Sequence, residues 1–197
     1  GDGIGRDVIK ATRIVLDAIN DIAEDFSMEF SEMITGDKAF EKYGHPFPQE
    51  TIDGISKTDA VLFGAAGNPH TVDVLMGFRL GFDLYANVRP IKALHPFIET
   101  KHPKLNTVIV RENEEDLYAG IEHQQTQEVV QCLKLISKPG CQKIIGYAFE
   151  LAKAMGRKKV TCMSKDNIMK LTDGMFHNMQ GFTLDGEIKS ALSTAED

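Results

Sequence analysis

The sequence predicts an α/β fold with substantial parallel sheet. Apolar, β-branched runs alternate with stretches of helical spacing along most of the chain. Glycine and proline mark the connections between them, and the helical stretches are long enough to cross from one parallel strand to the next. One segment, 117–138, departs from this alternation.

The first element is a glycine-rich turn, "GDGIG", that leads into an amphipathic helix with apolar residues at helical spacing: Val8, Ala11, Val15, Ala18 and Ile22. Two interpretations of the glycines stay open. They form either a phosphate loop for a dinucleotide or a tight turn that lets a helix leave a strand end. The first requires a preceding strand, and this sequence begins without one.

The next elements are short. "PQETIDGI" predicts a helix, and residues 60–63 predict a strand. "GAAG" lets the backbone approach either a ligand or a neighbouring helix. A helix over residues 72–82 and a strand at "YANVRP", closed by Pro90, follow.

Later elements have clearer boundaries. "LNTVIV" and "KVTCM" predict strands, and Pro139 and Gly156 bound a helix between them. Its predicted buried face consists of Ile144, Ala148, Leu151, Ala152 and Met155. Ser164 or Asp166 is expected to cap another helix.

The segment "EVVQCLKLIS" alternates and is rich in β-formers, which predicts an antiparallel excursion from the α/β scaffold. It is either a contact surface for a second subunit or a plain surface hairpin.

Composition excludes some classes of partner. The 197 residues carry a formal net charge of −7, which argues against nucleic acid or an anionic membrane, because both require a basic face. The three cysteines lack metal-ligand spacing, so reduced thiols in an intracellular compartment are expected. No apolar run approaches the roughly 18 residues of a membrane span.

Charged side chains follow three predicted strands: Arg89, Arg111 and Lys165. Arg79 lies on the helix before the first of them. If the strands are parallel neighbours, these groups face one cleft at the carboxyl edge of the sheet. Guanidinium groups there indicate a polycarboxylate or phosphate ligand. The alternative is a set of surface arginines in salt bridges.

Tyr118 lies seven residues beyond Arg111, after four carboxylates: Glu112, Glu114, Glu115 and Asp116. Most of this acidic run is expected to be a solvated face, with one or two carboxylates holding the arginines. Tyr118 is either a packing residue or a proton donor beside the cations, and Lys165 is a candidate base.

Four motifs, "GDGIG", "DLYANVRP", "VRENEEDLYAGIEH" and "KDNIMKLTDGMF", together resemble the isocitrate and isopropylmalate dehydrogenase family, with the third closest to the isocitrate branch. The resemblance implies a two-domain α/β fold that is not a Rossmann fold, so "GDGIG" is not a dinucleotide fingerprint. It implies that residues 1–84 belong to a large domain, that 85–116 and 139–179 form a small domain, and that 117–138 form a β-rich clasp. The tail, 180–197, matches no family motif.

The resemblance also implies site roles. Arg79, Arg89 and Arg111 would hold substrate carboxylates. Tyr118 would protonate the enol after loss of carbon dioxide, and Lys165, reaching the site from the other subunit, would transfer a proton at the substrate hydroxyl. Asn167 would lie near the nicotinamide ribose. The implied cofactors are NAD or NADP and Mg²⁺ or Mn²⁺. The implied assembly is a homodimer through the clasp, in the cytoplasm or the mitochondrial matrix.

Two departures from the family pattern affect the substrate and the metal. Asp73 and Leu75 stand where isocitrate dehydrogenases carry a serine and an asparagine. Isocitrate is therefore the first expectation, with 3-isopropylmalate, D-malate or tartrate as the alternatives. The metal-binding aspartates and the adenine-loop motif are missing, so the metal ligands are unknown. Asp185 and Glu187 are expected in a short acidic tail helix. A non-catalytic regulatory paralogue and a polycarboxylate-binding module also stay open.

Overall fold

The computed structural model describes residues 3–66, 71–179 and 189–194. These residues divide into two compact units, one ending at Phe82 and the other beginning at Asp83. The first unit contains the helices α1 (Ile4–Ile22), α2 (Asp37–Tyr43), α3 (Gln49–Ile55) and α4 (Thr71–Gly81). The second contains β1 (Ala86–Lys92), β2 (Asn106–Glu112), a 3₁₀ helix (Leu117–Ala119), β3 (Glu122–Gln124), β4 (Val130–Cys132), α5 (Lys138–Ala154), β5 (Lys159–Ser164), α6 (Thr172–Met179) and β6 (Lys189–Thr194).

The core of the first unit is a small aromatic cluster. Phe47, Ile55, Val74 and Phe78 are buried together. The ring of Phe78 lies 4.7 Å from that of Phe47 and 4.7 Å from that of Phe63. The strand predicted over 60–63 is wrong, because these residues are irregular. Phe63 is held by ring packing instead of by a strand ladder.

The apolar side of α1 is exposed to solvent within this chain. Val8, Val15 and Ile22 are 53%, 57% and 79% exposed. The buried residue of the helix is Gly5, where an added Cβ would lie 2.5 Å from the carbonyl oxygen of Ala65. The sequence left two partners open for "GAAG", a ligand or a neighbouring helix. At Ala65 the partner is a helix, α1. Gly5 is the residue that allows this close approach.

β1 and β2 form an antiparallel pair in which Asn87 lies opposite Arg111 and Arg89 opposite Ile109. The parallel arrangement expected for these strands is wrong. β1 also continues past Pro90 to Lys92, because each strand of a two-stranded sheet is an edge, where proline is tolerated. Arg89 therefore lies within its strand, and Arg111 is the second-last residue of β2.

α5 packs on one face of this sheet. Its buried Ile144 and Ile145 join Met179 of α6, and Ala86 and Val110 pack against the same cluster. The predicted helix boundaries are confirmed: Pro139 lies in the first turn, and Gly156 follows the end with φ of 63°. In the predicted buried face Ala148 and Leu151 are only partly buried, and Met155 is 47% exposed.

The predicted antiparallel excursion is confirmed as the hairpin of β3 and β4. β5 pairs in parallel with β6, so the part of the tail over 189–194 is a strand where a helix was expected. Asp185 and Glu187 lie outside the described residues. α6 begins at Thr172, later than a cap at Ser164 or Asp166 predicts.

Across the described ranges, no helix combines the length and the hydropathy that a membrane crossing requires.

Candidate active site

Two of the predicted arginines share one face of the β1–β2 sheet. Arg111 lies directly opposite Asn87, and Arg89 is two residues beyond Asn87 on the same strand. Side chains alternate between the two faces of a strand, so Asn87, Arg89 and Arg111 project from one face. Ala86 and Val110 project from the other. The second face packs on α5, so the arginines lie on the side of the sheet that α5 leaves uncovered.

Tyr118 contacts one of these arginines. The guanidinium carbon of Arg111 lies 4.9 Å from the centroid of the Tyr118 ring, within the range of a cation–π interaction. Two residues with positive φ flank the 3₁₀ helix that carries Tyr118: Asp116 with φ of 61°, and Gly120, in the left-handed conformation, with φ of 63°. This tight turn brings the phenol back to the end of β2.

Lys165 lies on the same cavity as Arg111 and Tyr118. The cavity has a volume of about 1140 Å³ and is lined by residues of β2, α5, β5 and α6 in the second unit. Its lining includes the α5 side of the sheet as well as Arg111, and Arg89 does not line it. Lys165 immediately follows β5, as predicted. A cation, a phenol and an amine thus border one space large enough for a small organic acid.

The other predicted site residues are on other elements. Arg79 is in the last turn of α4, in the first unit. Asn167 is exposed in the turn after Lys165, and the side chain before it, Asp166, hydrogen-bonds His177 at 2.5 Å. The expected cap residue Asp166 therefore connects the turn to α6 instead of starting a helix.

The acidic run after Arg111 holds the local backbone. Glu112 accepts hydrogen bonds from the backbone N–H groups of Glu114, at 2.7 Å, and Glu115, at 3.0 Å. Glu115 accepts from the backbone N–H of Ser137 at 2.8 Å and from its hydroxyl group. Ser137 in turn caps α5 by accepting from the N–H of Gly140. The partners of Glu112 and Glu115 are thus main-chain and serine groups, where the sequence suggested arginines.

Cys141 lies beside this cap. Burial, with a smaller contribution from the charges of Glu115 and Glu112, raises the pKa of its thiol to about 11. The thiol therefore stays protonated at neutral pH, as expected for a packing residue rather than a nucleophile.

Glu114 is in a different environment. Burial raises its pKa, the neighbouring Asp83 and Glu112 add to the effect, and Lys143 opposes it. Its Oε1 atom is buried without a hydrogen-bond partner. Lys143 is itself paired with Asp83, so part of its charge is already compensated. The protonated form of Glu114 is favoured by folding.

A lysine that the sequence analysis did not single out connects three parts of the second unit. Lys134 Nζ lies 2.8 and 2.9 Å from the two carboxylate oxygens of Asp173 and 3.5 Å from Asp116. Burial lowers the pKa of Lys134, but the two carboxylates outweigh it and the pKa lies above its ordinary value. Lys134 thereby ties the segment after β4 to α6 and to the turn that carries Tyr118.

Two amides were also missed. Asn113 is 6% exposed, and its side chain joins the carbonyl of Leu84 to Asn87. Asn87 in turn accepts from the Arg89 Nε–H at 3.0 Å. Both asparagines lie inside quoted motifs, "DLYANVRP" and "VRENEEDLYAGIEH", but they are 26 residues apart in sequence, and only the antiparallel register brings them together.

A divalent cation does not fit the described residues. Over 3–66, 71–179 and 189–194, no group of three or more His, Cys, Asp or Glu side chains is placed to hold a metal ion. Such a site needs several oxygen ligands around one point. Near Arg111, Glu112 and Glu115 instead bind backbone and serine groups, and Asp116 pairs with Lys134.

Comparison with known proteins places these features in a family. A family model described as isocitrate/isopropylmalate dehydrogenase matches residues 1–189. The chain is 44% identical over 183 residues to "Isocitrate dehydrogenase [NADP]" of Rickettsia typhi, covering 91% of this chain and 37% of that protein. It is also 44% identical over 179 residues to "3-isopropylmalate dehydrogenase" of Archaeoglobus fulgidus, covering 91% of this chain and 52% of that one.

A solved structure agrees. Isocitrate dehydrogenase from Methylococcus capsulatus superposes with a TM-score of 0.82 at 32% sequence identity, over 98% of this chain and 58% of that chain. The chain thus spans between about a third and about three fifths of the length of these relatives. With its motifs in order and its fold shared, the chain belongs to the isocitrate/isopropylmalate dehydrogenase family.

Proposed function

We propose that this chain is part of a nicotinamide-dependent enzyme that oxidatively decarboxylates a 2-hydroxy di- or tricarboxylic acid, isocitrate being the first candidate. The observation that carries the proposal is the Arg111 guanidinium at 4.9 Å from the Tyr118 ring, on a cavity that Lys165 also borders. These contacts support a site in which Arg111 binds an anion, Tyr118 donates a proton and Lys165 is the amine.

Each side chain has a step that its chemistry allows. Arg89 and Arg111 bind substrate carboxylates, because a guanidinium donates to both oxygens of a carboxylate. Arg79 is proposed as a third carboxylate ligand. Lys165 exchanges a proton with the substrate hydroxyl group as it becomes a ketone. Tyr118 then donates its phenolic proton to the carbon that loses carbon dioxide.

The proposed proton donor, Tyr118, has Arg111 as its neighbour. The Arg111 guanidinium lies 4.9 Å from the centroid of the ring, so the proposed proton donor and a carboxylate-binding group are neighbours. The rigid 3₁₀ turn around Tyr118 limits the positions that its hydroxyl group can take. Arg111 thus serves the substrate and the phenol together.

For the cofactors, the proposal names only the class: a nicotinamide dinucleotide and a divalent cation. Asn167 is the candidate in this chain for contact with the nicotinamide ribose of NAD or NADP, and the nicotinamide, when bound, accepts the hydride. Mg²⁺ or Mn²⁺ is expected from the family, but the described residues do not form its site, and no step is assigned to it here.

The choice of substrate has a second candidate. Asp73 is exposed in the first turn of α4, and Leu75 lies two positions further along the helix, before Arg79. A carboxylate at 73 repels a third substrate carboxylate, and a leucine suits an apolar substituent. These two residues are the reason why 3-isopropylmalate, D-malate and tartrate are kept as the alternatives to isocitrate.

We also propose that the clasp, residues 117–138, forms a homodimer contact. Several of its apolar side chains are exposed in the single chain: Leu117, Ile121, Val129, Val130, Leu133 and Leu135. A monomer rarely exposes so many neighbouring apolar groups. Dimerisation would bury them. Lys165 borders the Arg111 cavity of its own chain, so the action across the dimer contact that the family resemblance implies is a separate proposal. The domain limits and the cytoplasmic location remain predictions.

The test is an activity screen of the full-length protein with isocitrate, 3-isopropylmalate, D-malate and tartrate, each with NAD and NADP in the presence of Mn²⁺. The expected result is reduction of the cofactor with release of carbon dioxide for one of these acids. Absence of turnover with all four, together with measurable binding of the acids, would favour the regulatory paralogue or the polycarboxylate-binding module.

A further inference from the structure

A directed chain of hydrogen bonds ends at Arg89. The carbonyl group of Leu84 accepts from Asn113 Nδ2 at 3.2 Å, and Asn113 Oδ1 accepts from Asn87 Nδ2 at 3.4 Å. Asn87 Oδ1 then accepts from Arg89 Nε at 3.0 Å. The chain begins at a main-chain carbonyl, which can only accept, so each amide has one orientation that satisfies both of its neighbours.

Burial makes this orientation stable. Asn113 is buried, and a buried amide that turned around would leave its NH₂ group without the Leu84 acceptor. Asn87 is half-buried and lies directly across the ladder from Arg111. The amide therefore stands between the two arginines on the uncovered face of the sheet.

This series of hydrogen bonds, from Leu84 through Asn113 and Asn87 to Arg89, is called the relay. It determines which N–H donors of Arg89 remain available to a ligand. A guanidinium has five N–H donors, and the Nε–H is used by Asn87. The four N–H donors on the two Nη groups are left for a ligand. Arg89 is exposed, so without Asn87 its long side chain would have to be ordered when the ligand binds.

We propose that Asn87 and Asn113 are positioning residues for substrate binding, holding the Arg89 guanidinium with both Nη groups directed at a substrate carboxylate. This inference rests on the proposed function, because it takes a carboxylate as the ligand of Arg89. Asn113 fixes the Asn87 amide, and Asn87 fixes Arg89.

The test is a double-mutant cycle in the full-length protein with Asn87→Ala, Arg89→Ala and the double variant. Asn87→Ala is expected to raise the KM for the 2-hydroxy acid about tenfold, as for the loss of one charged hydrogen bond. The KM for the nicotinamide cofactor and kcat should change less than twofold. In the Arg89→Ala background the same substitution should have no further effect, because Asn87 acts through Arg89.

Two more variants are measured: Asn113→Ser tests the first amide of the relay, and Asn178→Ala is the control. Asn113→Ser should raise the same KM, and Asn178→Ala, an exposed change on α6, should not. Thermal melting verifies that each variant folds, and calorimetric dissociation constants for the acid replace KM where turnover is too slow. If Asn113→Ser does not fold, the double-mutant cycle of Asn87 and Arg89 tests the proposal by itself.

The outcomes separate the two proposals. Equal effects of Asn87→Ala in both backgrounds would overturn the relay and leave Arg89 as a substrate ligand. No change in acid binding on Arg89→Ala would overturn the proposed role of Arg89, and the relay with it.

Discussion

Two glycines of α5 offer a matched test of the network around the acidic run. Gly140 is in the first turn, and an added Cβ would lie 2.5 Å from the carboxyl carbon of Glu115. Gly146 is further along the same helix, with no atom within 4 Å of its added Cβ. Glu115 cannot simply move aside from Gly140, because the backbone and hydroxyl of Ser137 both donate to it.

The sign of each effect follows from two opposing terms. Alanine in place of glycine favours a helix by about 0.5–1 kcal/mol at either position. At Gly146 this is the whole effect, so Gly146→Ala should be stabilising by that amount. At Gly140 displacement of Glu115 loses hydrogen bonds to a charged group, worth about 1.5–3 kcal/mol. Gly140→Ala should therefore be destabilising by about 1–2 kcal/mol net.

Urea denaturation of the full-length protein, followed by circular dichroism, measures both free energies of unfolding. A third comparison isolates the cause: with Glu115→Ala already present, Gly140→Ala should become stabilising, like Gly146→Ala. The reasoning would be refuted if Gly140→Ala and Gly146→Ala stabilised the otherwise unchanged protein equally, because Glu115 would then not be held at the start of α5.

Three further predictions concern the site and its surroundings. Tyr118→Phe should lower kcat far more than it changes the KM for the acid, since the hydroxyl acts only after binding; steady-state kinetics with unchanged kcat would remove the catalytic assignment. Lys134→Met should destabilise the protein by about 2 kcal/mol in urea denaturation, because the buried Asp173 loses its charged partner; Lys158→Met, on an exposed residue, is the control and should have little effect. The raised pKa of Glu114 means that its contribution to stability is present below the ordinary value of 4.5 and is lost as pH rises through the folded-state pKa. Glu114→Gln should remove that loss and raise Tm at pH 7 but not at pH 4, and identical pH profiles of Tm for both proteins would contradict it.

Local signals predicted the elements well where the chain itself specifies them. Pro139 and Gly156 bound α5 because one fits a first helical turn and the other a left-handed residue after the last. The antiparallel hairpin and β5 followed from alternation in the same way. These features depend on neighbours in sequence, so one chain without relatives was enough to find them.

Features that depend on tertiary partners were harder to predict. Strand direction is decided by pairing, so the antiparallel register that places Asn87 opposite Arg111 was not visible in the sequence. The same holds for Lys134, which lies 39 residues from the Asp173 that it binds. The helical spacing of α1 was correctly recognised, but an amphipathic pattern does not say what covers its apolar side.

The domain limits were not tested, and neither were the roles of the site residues. Arg111 and Tyr118 were placed together by family resemblance and by their spacing, and the structure describes the contact between their side chains. Their chemical roles remain predictions until the kinetics are measured.

The stacking of Arg111 on Tyr118 also gives the molecule an optical probe of its own. This chain contains four tyrosines and no tryptophan, and the ultraviolet absorption of a phenol shifts when a nearby charge moves. A bound carboxylate that moves the guanidinium away from the ring would shift the tyrosine absorption, and an ultraviolet difference spectrum would show that shift. Ligand arrival could thus be followed without a label and in the absence of turnover.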